Sequence, residues 1–556
     1  MITFKFFYPI YLAKEVIIPY GIHPFDICSK NPELWQIIKF VYLITFIFSN
    51  FILSNFIYVR LISKFTKLFA CFKSNTCRSS QELKNHSKNF INSLCLLIGF
   101  DESSNKNIYI PETGLYQNFL ITGTIGSGKT SSAMYPFTRQ LLEYNSNHQK
   151  NKLGMLILDV KGNYYKQVKK YSEQFNLLND LIIIQLNSNI FYNPLHKPNL
   201  KPQVLANRLK TILLLFSENN TESYWLDKAE QVIAECIKLC RLYNNGYVTF
   251  LELHKLVTIP HYYKEKLDQL RNLFISSKFT NHQIYELNEC LNFFEKEFQN
   301  LDSRTKGILI SEITRITNTF VSDYDVMSTF CAPENKLNFI GFDDVIHSGK
   351  IVVLNMNISE YSILSKIIAT YLKLDFQTEV MCLLSKNSIK PSAFICDEYD
   401  KFASKTDGEF FSLSREAKCI NIVSTQSYSS LKVTLKDEAT VKVITQNLIN
   451  KIWFRTDDIF TIEEAQKQLG KEEKERISKS ISESAKETKF SYITNSLNSE
   501  NSNISETFST YTQNDFIFET NFFTQNLETF TALTFLSDGN KIVSPKKLKL
   551  FPYFKN

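Results

Sequence analysis

The sequence is 556 residues long, more than one compact core accommodates, so about two to four structural units are expected. Hydrophobic residues make up 44% of it, and the formal net charge of +7 arises from 63 basic and 56 acidic side chains. That excess is small for the length: it permits a nucleic-acid partner without arguing for one, and excludes a chain dominated by one sign of charge.

Residues 1–39 carry short apolar runs broken by Lys5, Pro9, Lys14, Glu15 and Pro19. No uninterrupted apolar stretch follows a basic start, which argues against a cleaved signal peptide and leaves an interfacial segment or a degenerate first membrane helix as the readings. Residues 40–59, FVYLITFIFSNFILSNFIYV, contain no charge. As a helix they reach about 30 Å, the thickness of a bilayer's hydrocarbon core, and a transmembrane helix is expected there. Arg60, Lys64, Lys67, Lys73 and Arg78 follow it, so the positive-inside rule puts the remainder in the cytoplasm of an inner or plasma membrane. Residues 60–94 read as a juxtamembrane linker.

From 95 to 197 the pattern alternates β and α, with strands expected at Phe119–Ile121, Leu156–Asp159 and Leu181–Ile184. Residues 198–335 change to long amphipathic helices. Cys236 and Cys240 fall on the apolar stripe Trp225, Ala229, Val232, Ile233, Ile237, which is the spacing of a helical core and not of a metal site. The alternation returns over 336–556, with strands expected at Ile351–Leu354, Phe394–Cys396, Ile420–Val423 and Ile452–Phe454. The simplest architecture is one α/β domain with a mostly parallel sheet, interrupted by an all-α insertion. Within it, 475–515 is rich in Ser, Asn, Thr and Glu and reads as a flexible loop or exposed hairpin. The apolar run Phe530–Leu536 brings the chain back to the domain.

The chemistry concentrates at three strand ends. Gly123-Thr124-Ile125-Gly126-Ser127-Gly128-Lys129-Thr130 fits the phosphate-binding loop Gly-x-x-x-x-Gly-Lys-Ser/Thr, with a β-like run before it and a helix after. Its backbone N–H groups, continuing through Ser131, would cradle phosphates at a helix N-terminus. Lys129 would reach the β and γ phosphates of ATP, and Thr130 would ligate Mg2+. Such a loop needs an acid at a nearby strand end. Asp397 and Glu398 close SAFICDE and suit it best: Asp397 for the metal, partly through water, and Glu398 as the base that polarises the attacking water. Asp159 competes for the metal, with a turn-forming role as the alternative. In the third segment, Ser424-Thr425-Gln426-Ser427, Gln426 would sense the γ-phosphate or orient water, and a helix N-cap is the plainer reading of its hydroxyls. Arg415 is a candidate arginine finger for a neighbouring subunit's nucleotide or a plain surface cation; Arg455 is a weaker candidate.

With these segments in this order the chain resembles the type IV secretion coupling proteins, the TraG/TraD-type conjugative DNA translocases. The likeness is carried by LITGTIGSGKTSSAMYPF, LILDVKGN, FYNPL, YWLDKAE, FICDEYDKFAS and SREAKCINIVSTQS, and spans roughly 95–550. Val160 and Asn163 stand where the family has proline and an acidic residue. The resemblance implies a RecA-like ATP-hydrolysing motor, a homo-hexamer around single- or double-stranded DNA gripped without reading sequence. It further implies relaxase or relaxosome proteins, secretion channel components and the membrane as partners. Two other readings are an ATPase for secretion assembly that handles protein only, and a nucleotide-binding docking platform without turnover.

Overall fold

The computed structural model divides into two units, residues 1–89 and 90–556. It describes residues 94–148, 151–216, 223–276, 280–385, 389–484, 489–491, 496–498 and 503–555, and before these only Ile44 and Phe48, both helical. Apart from those two residues, the interfacial segment, the membrane span expected at 40–59 and the linker after it therefore lie outside the described residues. Among the described residues no helix is long and apolar enough to cross a membrane. Every described strand belongs to the second unit.

The centre of that unit is a sheet of eleven strands. Seven run parallel, in the order β9-β3-β8-β7-β4-β6-β5. They are β3 (Phe119–Thr122), β4 (Gly154–Leu158), β5 (Leu181–Ile184), β6 (Ile351–Leu354), β7 (Ser392–Cys396), β8 (Cys419–Thr425) and β9 (Asn450–Phe454). All seven strands expected from the sequence are among them. Four antiparallel strands extend the β9 side: β14 (Thr531–Ser537), β15 (Ile542–Lys549), β1 (Cys95–Asp101) and β2 (Lys106–Pro111).

The parallel strands are apolar on both faces because both faces are covered. Phe119 and Ile121, Met155 and Ile157, Ala393 and Ile395, Ile420 and Ile422 point into one core with Phe137, Leu141 and Val168 from the helices Tyr135–Glu143 and Tyr164–Gln174. Leu120, Leu156, Leu158, Phe394, Cys396 and Val423 alternate to the other side, as a period of two requires. That second core runs on without a break into the helices between β5 and β6, from Pro202–Phe216 through Ser223–Tyr243 and Ser303–Val321 to Tyr324–Phe330. Cys236 and Cys240 are buried free thiols inside it. Side chains at the helix starts take up orphan N–H groups there: Thr249 accepts from Glu252, Thr280 pairs with Gln283 in a capping box, and Asp302 accepts from Arg304 and Thr305.

After β9 the chain leaves the sheet as a ribbon, β10 (Lys471–Ser484) paired antiparallel in continuous register with β13 (Asn503–Phe516), with β11 (Lys489–Ser491) and β12 (Ser496–Asn498) beyond. Of the loop and hairpin readings for 475–515, the described residues form the hairpin. It rejoins the body beside a small core of Trp453, Ile462, Ala465, Phe523 and Leu533.

Candidate nucleotide site

In parallel strands the side chains that leave the carboxyl ends emerge along one edge of the sheet. β3 lies between β8 and β9, and β8 separates it from β7. The loop after β3, the acids after β7 and the polar run after β8 therefore share one edge.

The loop is held from below by backbone. Gly123 N donates to Gln426 O (3.3 Å) and Thr124 N to Arg455 O (2.8 Å), so the ends of β8 and β9 set its base. Thr124 Oγ1 donates to Arg455 O (3.1 Å), and Ser127 Oγ to Thr124 O (2.8 Å). Gly126 and Gly128 have φ of 77° and 103°, values that side-chain-bearing residues rarely adopt. A Cβ at Gly128 would also stand 2.6 Å from the Phe530 ring. Lys129–Met134 then form a π-helical turn, a form frequent at functional sites, that leads into the helix Tyr135–Glu143. Ser131 Oγ turns back to Gly128 O (3.3 Å). Lys129 curls over the loop, its ammonium donating to Thr124 O (3.2 Å) and Gly123 O. Burial draws that ammonium below its ordinary pKa, and the charge of Asp397 opposes the shift.

Thr130 Oγ1 donates to Asp397 Oδ2 at 2.8 Å. The phosphate-type loop and the acidic strand end, 267 residues apart, thus meet in one cluster. The other oxygen of Asp397 accepts from Ser424 Oγ and from Glu398 N (3.1 Å). Asp397 N in turn donates to Leu158 O (3.0 Å), tying the end of β7 to that of β4. Glu398 adopts φ 52°, a left-handed conformation that turns the chain sharply out of the strand. Its carboxylate lies 2.7 Å from Lys161 Nζ, whose pKa the pairing raises despite partial burial. Gln426 contributes its backbone carbonyl to the loop. Ser427 caps the helix Tyr428–Leu435, so the N-cap reading holds for that hydroxyl.

Asp159 takes the turn-forming role: its carboxylate accepts from the N–H groups of Lys161 (3.1 Å), Asn163 (3.0 Å) and Tyr164 (3.1 Å). Burial raises its pKa, and these bonds pull the other way. Arg415 is not part of this cluster. It is exposed and precedes β8, at the opposite edge of the sheet. Arg455 follows β9 on the loop's own edge. Sequence reasoning missed three groups. Lys161 could have been sought in the Asp159-Val160-Lys161-Gly162 turn. Ser424 sits inside the polar run already singled out. Asp400, buried and bonded by Thr425 Oγ1 (3.1 Å), follows the acidic pair by two residues.

The cluster offers oxygen donors, a hydroxyl and a carboxylate, with no thiolate or imidazole. Among the described residues no group of three or more His, Cys, Asp or Glu side chains could form an all-protein metal cage. Such a set fits a hard cation that takes one or two protein oxygens and completes its shell with water and phosphate, the habit of Mg2+.

Residues 391–511, which include Asp397, Glu398 and Gln426, match the family model described as the TraM recognition site of TraD and TraG. No curated protein matches by sequence. Among solved structures, the unbound monoclinic form of the bacterial conjugative coupling protein TrwBdeltaN70 superposes with a TM-score of 0.53 at 14% identity, over 82% of this chain and 89% of that one. The plasmid coupling protein TrwB in complex with ADP and Mg2+ superposes with a TM-score of 0.52 at 14% identity, over 80% and 87%. TrwB in complex with the GTP analogue GDPNP gives 0.52 at 13%, over the same shares. At these identities the likeness is one of fold. The resemblance to type IV coupling proteins thus holds in the sequence of 391–511 and in the architecture of the sheet.

Proposed function

We propose that this chain is a membrane-anchored ATP-hydrolysing motor that delivers DNA, or a relaxase–DNA substrate, to a type IV secretion or conjugation channel. One observation carries the proposal: the Thr130 hydroxyl meets the Asp397 carboxylate at 2.8 Å, with Lys129 and Glu398 as their immediate neighbours. The coupling-protein fold and the match over 391–511 support it.

On this reading Gly123 and Thr124 anchor the base of the loop through their N–H groups, those from Gly128 to Ser131 receive the phosphates, and Lys129 exchanges its bonds to Gly123 O and Thr124 O for the β and γ oxygens. Bound Mg2+ would supply neutralisation of the charge that develops on those oxygens. Thr130 and Asp397 would hold it, with Ser424 fixing the carboxylate's orientation. Glu398 takes the proton of the attacking water once it leaves Lys161. Gln426, at the end of the intervening strand, orients that water. Work on DNA then requires neighbouring copies, and a homo-hexamer anchored through the amino-terminal segment is the assembly proposed.

The test is ATP turnover by the purified, detergent-solubilised full chain, with and without single- and double-stranded DNA at two salt concentrations. Turnover stimulated by DNA is expected. Lys129→Ala should abolish it, and Glu398→Gln should lower it by about 10²–10⁴-fold with nucleotide still bound. Turnover indifferent to DNA at both salts would point to a protein-only substrate, and retention of ATP without turnover to a docking platform.

A further inference from the structure

An aromatic row climbs from the core to the flank of the loop. Tyr164 is fully buried and hydrogen-bonded to Thr138 Oγ1 (2.7 Å). Tyr135 packs edge-on against it with centroids 4.7 Å apart, and Tyr553 against Tyr135 at 5.1 Å. Phe554 follows at 5.5 Å and Phe530 at 5.9 Å. The row ends in solvent: Phe554 is 58% exposed, and Phe530 is half-buried.

Phe530 is tied to the loop itself. Its N–H donates to Ser127 O (3.1 Å), its carbonyl accepts from Leu550 N (2.8 Å), and its ring fills the space that a Cβ on Gly128 would need. It does so at φ 66°, a conformation unfavourable for a bulky side chain and kept only where the surroundings impose it. An exposed phenylalanine set edge-on to a second one, on a half-buried tyrosine, gains nothing for the fold from its outer faces.

We propose that Phe530 and Phe554 form the stacking platform for the base of the bound nucleotide. The inference rests on the proposed phosphate site. With the γ-phosphate end directed to Asp397 and Glu398, the nucleoside end is assigned to the flank of Ser127 and Gly128, where Phe530 stands with Phe554 against it. The platform presents ring faces and edges and no polar side chain of its own, so it takes any purine: stacking needs a π-face and reads no base edge. ATP and GTP are expected to bind alike.

Calorimetric titration of the full chain with ATP, GTP and inorganic tripolyphosphate, each with Mg2+, tests this. Phe554→Ala, at an exposed position, should weaken ATP and GTP by about tenfold and leave tripolyphosphate unchanged. Phe530→Leu, which keeps apolar bulk against Gly128, should do the same. Unchanged ATP affinity in Phe554→Ala would overturn the platform. So would an equal loss for tripolyphosphate, which has no base. Tripolyphosphate that binds wild type and Lys129→Ala equally would bring down the phosphate site, and the platform with it.

Discussion

Lys451 shows what a single side chain does when its strand requires burial. It sits in β9, a strand buried throughout, and its ammonium donates to Leu448 O at 3.0 Å. Among the described residues no carboxylate pairs with it, and burial alone brings its pKa to about 8. A lysine depressed from its ordinary 10.5 to about 8 costs the fold about 3 kcal/mol at neutral pH. Below pH 8 the folded form carries that cost in full. Between pH 8 and 10.5 the unfolded chain binds more protons than the folded one, so stability rises with pH. Lys451→Met should therefore raise stability at pH 7 by about 1–3 kcal/mol and flatten the slope between about pH 8 and 10, as read from denaturant midpoints. The contrast with Lys129, Thr130 and Asp397 explains which residues could be read from the sequence. A phosphate-type loop is a local backbone program, spelled by glycines within eight positions. The ion pair of Lys161 with Glu398 depends on β4 and β7 being neighbours, which no local pattern states.

At the level of elements, the acidic strand end is braced by a buried polar network. Lys373, from the long helix Ile358–Cys382, donates to both oxygens of Asp407 (2.8 and 2.7 Å), to Phe402 O (2.6 Å) and to Ser404 Oγ (2.9 Å). Tyr399 OH, Ser404 N and Gln377 Nε2 also donate to Asp407. The turn after Asp397 and Glu398 is thereby pinned to a helix whose next polar residue, Asp375, pairs with Lys197 (2.7 Å) and Arg208 (2.9 Å) at the entry to the helical segment. Removing one member of a buried pair strands the other's charge. Lys373→Met should cost about 3–5 kcal/mol in urea unfolding. The double variant with Asp407→Leu should recover most of that, though not all, since Tyr399, Gln377 and Ser404 lose their acceptor. The ribbon β10–β13 is the opposite case. Its Ile477, Ile481 and Phe508 are exposed, and two strands alone are marginal in water. Replacing 474–513 by a short turn should leave the unfolding midpoint of the body within about 2 °C, since the small core under Trp453 stays intact. The seven parallel strands were legible because burial on both faces makes each a short apolar run. β1, β2 and β15 were not, because β2 and β15 present mixed, half-exposed sequences and β1, though mostly buried, is a short run before any motif.

For the whole molecule, the position of Arg415 sets a geometric condition on activity. A buried network anchors its segment: Ser414 Oγ donates to Asn118 Oδ1 (3.2 Å), and Asn421 Nδ2 donates to both Asn118 Oδ1 (2.7 Å) and Ser414 Oγ (3.0 Å). These groups lie where β3 and β8 begin, whereas the phosphate-type loop lies where they end. The seven residues of β8 hold the two about 20 Å apart, beyond the reach of one side chain. Arg415 thus has no route to the nucleotide of its own chain, and a finger role requires a second copy. If it serves one, Arg415→Ala should lower turnover by about 10³-fold or more while leaving nucleotide affinity intact. Lys129→Ala removes the complementary half of the same composite site. Mixing the two inactive full-length variants in equal amounts should then restore activity, because each boundary that joins an intact loop to an intact arginine is a working site. Random assembly makes about a quarter of the boundaries of that kind. Recovery near that level, read as ATP turnover of the mixture against each variant alone, would place Arg415 in trans. A mixture no more active than its components would leave Arg415 a surface cation and require the charge on the transferred phosphate to be met from within one chain, with Arg455, on the loop's own edge, as the residue to test next.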